Sequence, residues 1–242
     1  MGSSRNLVFR RVCVGAALVV LAWGIARAEE PYRVLPPPGD GPHPAVLFVP
    51  GCSGFTGTNG INVYDERAAE LQAAGYLVVY VDYIGKRMQT NCAHVLPDEV
   101  ARDIIEATKW TRDQAHVDAS RVSVIGWSYG GSGVLAALKA APSNAPIAKA
   151  VLYYPVCRGA PPWFGSTIGL MLLGAKDDIA VPALCERVAK DVPPERLRLI
   201  IYTDARHGFD TPGFPTDGPS GAPAYNAEAA QASWTAVMQF LK

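Results

Sequence analysis

The chain has 242 residues, 22 Lys+Arg against 22 Asp+Glu, and 49% hydrophobic residues. A formal net charge of zero argues against a nucleic-acid partner and against an acidic disordered tail. The length suits one domain with a sizeable core, and no internal repeat or second domain boundary is visible.

Residues 1–28 read as a signal peptide. Arg5, Arg10 and Arg11 form a basic start, Val12 to Trp23 is an apolar run too short to span a bilayer, and Ala26-Arg27-Ala28 fits an A-x-A cleavage site. The expected product is exported, periplasmic or secreted, with no stable membrane anchor after cleavage. Residues 29–242 are expected to make a single domain. Cys13 leaves with the signal, and Cys52, Cys92, Cys157 and Cys185 remain. An even number in an exported protein points to two disulfides, with three connectivities open.

In chain order, Ala45 to Pro50 is a continuous apolar run, as in a strand buried on both faces, and ends in Gly51-Cys52-Ser53-Gly54. Val63 to Ala74 carries Tyr64, Ala68 and Leu71 at helical spacing and stops at Gly75. Tyr76 to Tyr83 is a second buried strand. Asp98 to Gln114 is an amphipathic helix. Arg121 to Ile125 is a strand leading into Gly126-Trp127-Ser128-Tyr129-Gly130-Gly131, and a small-residue helix, Ser132 to Ala141, follows. Lys149 to Pro155 and Thr167 to Leu173 are strands, Val181 to Lys190 a helix, and Leu197 to Tyr202 the last strand. A C-terminal helix carries Ala227, Ala230, Trp234, Val237 and Leu241 on one stripe. Strands alternating with helices predict an α/β fold with a mostly parallel central sheet and helices on both faces. Ligands of such sheets bind beyond the carboxyl ends of the strands.

Strand, G-x-S-x-G, helix is the context of a nucleophile elbow, which presents a serine above the sheet. A serine needs a base to take its proton and a carboxylate to orient that base. Ser128, then Asp177/Asp178, then His207 occur in that order, each just past a strand. The D-x-x-V-P spacing to Pro182 favours Asp178 as the acid, and Asp177, three residues after Gly174, is the alternative. The developing oxyanion needs two backbone N–H donors, expected from Tyr129, after the nucleophile, and from Cys52. Trp163 and Phe164, in a Pro-rich loop, are candidates for a substrate pocket. Arg87 and Arg158, after strand ends, are candidates to meet a substrate carboxylate. No Cys/His cluster has metal-ligand spacing, and the chemistry calls for no metal and no organic cofactor.

Pro50-Gly51-Cys52-Ser53-Gly54, the Gly126–Gly131 motif, Asp177-Asp178-Ile179-Ala180-Val181-Pro182 and His207-Gly208-Phe209 together resemble the dienelactone hydrolase family of the α/β-hydrolase superfamily, from about Pro31 to Lys242. The resemblance implies an α/β-hydrolase fold, and the short segments between the late strands leave little room for a large lid or cap, so no large cap domain is expected. It also implies the pairings Cys52–Cys92 and Cys157–Cys185, because the family's topology sets the relevant strands side by side. Two positions depart from the family's pattern. Ser128 stands where the dienelactone hydrolases proper have a cysteine, and Gly51 stands where they have a glutamate. The expected activity is therefore a serine hydrolase cleaving small-molecule carboxylic esters through an acyl-enzyme. The alternatives are a non-catalytic binding protein of the same fold, or a hydrolase directed at dienelactones or peptides. The sequence leaves the oligomeric state open.

Overall fold

Apolar runs alternate with amphipathic ones along this chain, and they build a sheet between two helical layers. The computed structural model describes residues 2, 31–55, 62–140, 146–160, 163, 165–214 and 224–242, so the expected signal peptide (save Gly2) and Phe164 lie outside the described residues. The strands are β1 (Arg33–Leu35), β2 (His43–Val49), β3 (Leu77–Tyr80), β4 (Val117–Trp127), β5 (Lys149–Tyr153), β6 (Ile168–Gly174) and β7 (Leu197–Tyr202). The helices are α1 (Val63–Ala73), α2 (Pro97–Arg112), α3 (Tyr129–Ala140), α4 (Pro182–Asp191) and α5 (Ala227–Leu241).

The sheet order is β1-β3-β2-β4-β5-β6-β7, parallel throughout except for β1 against β3. This is the mostly parallel sheet that the alternating elements predict, and its arrangement is the α/β-hydrolase fold that the family resemblance implies. β1 went unread in the sequence because three residues carry no periodicity. β4 starts at Val117, ahead of the expected Arg121. His43 pairs with Val117, the register shifts, and Ala45 then pairs with Val122. The polar Asp118–Arg121 segment in between hides the strand from a hydrophobicity reading.

Side chains alternate across the sheet, and both sets are buried. Ala45, Leu47 and Val49 of β2 pack with Val100 and Ile104 of α2, Val134 and Leu138 of α3, and Val188 of α4. Val46 and Phe48 pack on the opposite face with Ala68 and Leu71 of α1 and Trp234, Val237 and Leu241 of α5. Burial on both faces is why the strands read as continuous apolar runs. Local signals start the helices. The Asn62 side chain accepts the Asp65 N–H, Asn226 accepts that of Ala229, and Pro97 and Pro182 occupy first-turn positions that need no amide donor.

At their carboxyl ends the strands stay tied to their neighbours. The Ser128 N–H donates to Tyr153 O at 2.9 Å, the Tyr154 N–H to Leu172 O at 2.8 Å, and the Ala175 N–H to Tyr202 O at 2.9 Å.

Candidate active site

Ser128 is held at φ +50, a left-handed conformation that costs a non-glycine residue energy and is sustained only by tight surroundings. Those surroundings exclude side chains. A β-carbon on Gly126 would lie 2.8 Å from Val134 Cγ2, and one on Gly130 would lie 2.3 Å from Pro50 O and 2.4 Å from Val49 O. One on Gly131 would meet Pro155 at 2.9 Å. The three glycines let α3 start directly against β2 and β5.

Ser128 Oγ stands 2.8 Å from His207 Nε2, and His207 Nδ1 stands 2.8 Å from Asp177 Oδ2. The other Asp177 oxygen accepts the N–H groups of Ile179 at 2.9 Å and Ala180 at 2.7 Å. A carboxylate used as an acceptor throughout leaves the proton on Nδ1 and makes Nε2 the acceptor for the serine hydroxyl. His207 and Asp177 are both buried. Gly174 lets this approach happen, since a β-carbon there would lie 2.5 Å from Ala205 O, in the segment leading to His207.

The expected partner Asp178 is corrected by this geometry. It is exposed, while the turn after β6 closes on the Asp177 carboxylate and aims Asp177 inward. Pro182, which favoured Asp178 by spacing, opens α4 instead. Trp163 is also corrected. It is buried in the α2–α3–α4 core, its indole N–H donates to Thr167 O at 3.1 Å, and its ring covers Gly169. It pins its loop and does not line the cavity around Ser128. The Arg87 guanidinium is engaged by Asp103 and Glu99, and Arg158 is exposed.

Cys52 follows β2 in a turn closed by the Gly54 N–H on Gly51 O. It is bonded to Cys92, whose N–H donates to Cys52 O at 3.0 Å. Cys157 is bonded to Cys185. Tyr129 is the first residue of α3, where an N–H has no intrahelical acceptor. Its hydroxyl donates to Val95 O.

A cavity of about 200 Å³ opens over Ser128, lined by Gly51, Cys52, Ser53, Gly54, Val63, Tyr64, Trp127, Tyr154, Ile179, His207, Thr211 and Phe214. A larger one of about 500 Å³ lies along β3 among Tyr32, Tyr80, Tyr83, Lys86 and Asp103, away from the Ser128–His207 pair. Among the described residues no group of three His, Cys, Asp or Glu side chains is placed to hold a metal ion. No described helix is long and apolar enough to cross a membrane.

Sequence reasoning missed two neighbours of the site, the buried Asp210 and the half-buried Tyr64. Asp210 accepts the indole N–H of Trp127 at 2.9 Å and the hydroxyl of Tyr154, whose ring lies 4.7 Å from that of His207. Burial raises its pKa, and the two donors oppose that shift. Its position directly after His207-Gly208-Phe209 was the available signal. Tyr64 was read only as part of a helical apolar face, yet its hydroxyl accepts the Gly51 N–H at 3.0 Å.

Comparisons with known proteins agree with this architecture. A putative dienelactone hydrolase from Klebsiella pneumoniae superposes with a TM-score of 0.59 at 18% identity, over 84% of this chain and 88% of that one. Esterase 2 of Thermogutta terrifontis, solved phosphorylated by paraoxon, gives a TM-score of 0.65 at 16% identity, over 86% of each chain. A dienelactone hydrolase-like promiscuous phosphotriesterase from metagenomic libraries gives 0.63 at 22% identity, over 84% of this chain and 87% of that one. Among curated proteins, a probable dipeptidyl-aminopeptidase B of Sclerotinia sclerotiorum is 42% identical over 62 residues, a match that spans 24% of this chain and only 7% of that protein. The model of the dienelactone hydrolase family matches residues 32–242. With that match over nearly all of the described fold, the chain belongs to the dienelactone hydrolase family and has the α/β-hydrolase fold.

Proposed function

We propose that the protein is an exported serine esterase acting on small carboxylic esters. The observation that carries this reading is the unbroken chain Ser128 Oγ–His207 Nε2 and His207 Nδ1–Asp177 Oδ2, each link 2.8 Å, at the floor of a cavity. Ser128 gives its proton to His207 as Oγ attacks the ester carbonyl, and Asp177 steadies the imidazolium. The N–H groups of Cys52 and Tyr129 hold the oxyanion. His207 then passes the proton to the departing alcohol, leaving an acyl-enzyme. Water, deprotonated by His207, releases the acid. Val63, Ile179 and Phe214 line a space of about 200 Å³, which favours short acyl groups. The two disulfides favour an oxidising compartment, which supports export.

The test is hydrolysis of p-nitrophenyl esters from acetate to decanoate by wild type and Ser128→Ala, with a fluorophosphonate probe of Ser128. Wild-type turnover that disappears in the variant, highest on the short esters, is expected. An inactive, unlabelled wild type would sink the reading in favour of a non-catalytic binding protein. The short match to a dipeptidyl-aminopeptidase favours one second reading, a peptidase. Turnover of aminoacyl p-nitroanilides above that of the esters would select it.

A further inference from the structure

We propose that the Tyr64 hydroxyl is a third hydrogen-bond donor to the reacting carbonyl oxygen, beside the N–H groups of Cys52 and Tyr129. The inference rests on the esterase reading above. Tyr64 comes from α1, outside the strand ends that carry Ser128, Asp177 and His207. Its ring is fixed edge-on against Trp127, with centroids 5.0 Å apart, and against Phe55, at 5.1 Å. These contacts bring the hydroxyl to Gly51, whose N–H donates to it at 3.0 Å. Tyr64 and Ser128 flank one spot. A β-carbon on Gly51 would lie 3.6 Å from Tyr64 Oη and 3.6 Å from Ser128 Cβ. Both residues line the cavity that holds His207.

A hydrogen-bond inventory then assigns the proton. The phenol oxygen accepts from Gly51, so its own O–H is directed away from that bond. Among the described residues no side chain or carbonyl accepts from it. Burial raises its pKa, the Gly51 N–H opposes this, and the negative charge of Asp210 adds to the rise. The group stays neutral and keeps its proton at any working pH. Accepting the Gly51 N–H also polarises the O–H, because linked hydrogen bonds strengthen one another. The result is an oriented donor beside the nucleophile, in an apolar setting where developing charge is poorly served by water. Tyr64 transfers no proton; it lends one hydrogen bond that strengthens as the oxygen becomes negative. For holding the ring of residue 64 between Trp127 and Phe55, phenylalanine would serve equally well.

Tyr64→Phe removes that one oxygen atom. The expected result is a fall in kcat of about tenfold to a hundredfold on p-nitrophenyl acetate and on ethyl acetate alike. KM stays within about twofold, and the affinity for a trifluoromethyl ketone, which forms a tetrahedral adduct with Ser128, falls in step with kcat/KM. Unchanged kcat, or unchanged affinity for the ketone, overturns the proposal. A loss confined to ethyl acetate also overturns it, since that places the hydroxyl on the departing alcohol. If Tyr64→Phe fails to fold by circular dichroism, a crystal structure of wild type with the ketone decides. Tyr64 Oη within about 3 Å of the ketone-derived oxygen is expected, and beyond about 4 Å the proposal is wrong. An active wild type with an unaffected variant sinks this proposal alone. A wild type inactive on both esters sinks the esterase reading, and this proposal with it.

Discussion

His207 Nδ1 stands 2.8 Å from Asp177 Oδ2, and the other Asp177 oxygen is held by the N–H groups of Ile179 and Ala180. The carboxylate therefore cannot swing away from the imidazole without breaking two backbone hydrogen bonds. Asp177→Ala should lower kcat by about a thousandfold to ten-thousandfold on p-nitrophenyl acetate, as expected when a histidine base loses its orienting acid. Asp178→Ala, at an exposed position, should change kcat by less than about twofold. Equal losses in the two variants would refute the assignment of the acid.

Gly130 faces two backbone carbonyls of the β2 end, which cannot move as a side chain can. Gly130→Ala places a methyl group 2.3 Å from Pro50 O. The expected cost is about 3 kcal/mol or more in urea unfolding, the upper range for overpacking a tight core. Wild-type stability in this variant would mean that β2 and α3 are not packed as described.

The two disulfides should separate in function. Cys52–Cys92 closes a loop with a sequence separation of 40, Cys157–Cys185 one of 28, so removing either by paired Cys→Ser substitution should cost roughly 2–5 kcal/mol. Only the first holds the turn that carries the Cys52 N–H. Cys52→Ser/Cys92→Ser should therefore also lose kcat at temperatures where it remains folded, while Cys157→Ser/Cys185→Ser keeps it. Identical kcat in both double variants would separate the Cys52 turn from the chemistry.

Asp210 gives a pH prediction of unusual sign for a carboxylate. Burial raises its folded-state pKa above the ordinary 3.8. Between the unfolded and folded values the native state holds a proton that the unfolded chain has released. That contribution to stability is complete below the unfolded pKa and is lost as pH rises through the folded one. Asp210→Asn has no such titration. The unfolding free energy of wild type minus that of Asp210→Asn should decline from about pH 4 upward, through the window above the ordinary carboxylate range. Urea melts across pH provide the comparison, and a difference that grows with pH would contradict the raised pKa.

Trp163 should report on packing alone. It is 1% exposed, with its indole N–H on Thr167 O. Trp163→Ala should cost about 3–5 kcal/mol. Below its melting temperature, the acyl-length profile should remain that of wild type. A shifted profile would return Trp163 to the substrate pocket.

The sequence was most informative where covalent geometry leaves few choices. The glycines around Ser128 were readable because only glycine fits 2.3–2.9 Å from neighbouring atoms. The buried strands were readable because both of their faces are apolar. Adjacent aspartates are a different case. Asp177 and Asp178 have the same composition and nearly the same spacing, and the choice between them is made by two backbone hydrogen bonds within a turn. Trp163 misled because an aromatic in a Pro-rich loop looks the same in sequence whether it faces a cavity or the core. Tyr64 and Asp210 were hidden because their partners, Gly51, Trp127 and Tyr154, come from distant segments.

The amides of Ser128, Tyr154 and Ala175 each donate to the strand alongside. Ser128, the tyrosine against His207 and the start of the Asp177 turn are thus extensions of the ladder itself. Thermal inactivation should accordingly be a property of the whole sheet. Esterase activity and ellipticity would vanish in one transition, and these three amides would exchange with deuterium only through the global opening that melts β4, β5 and β6 together.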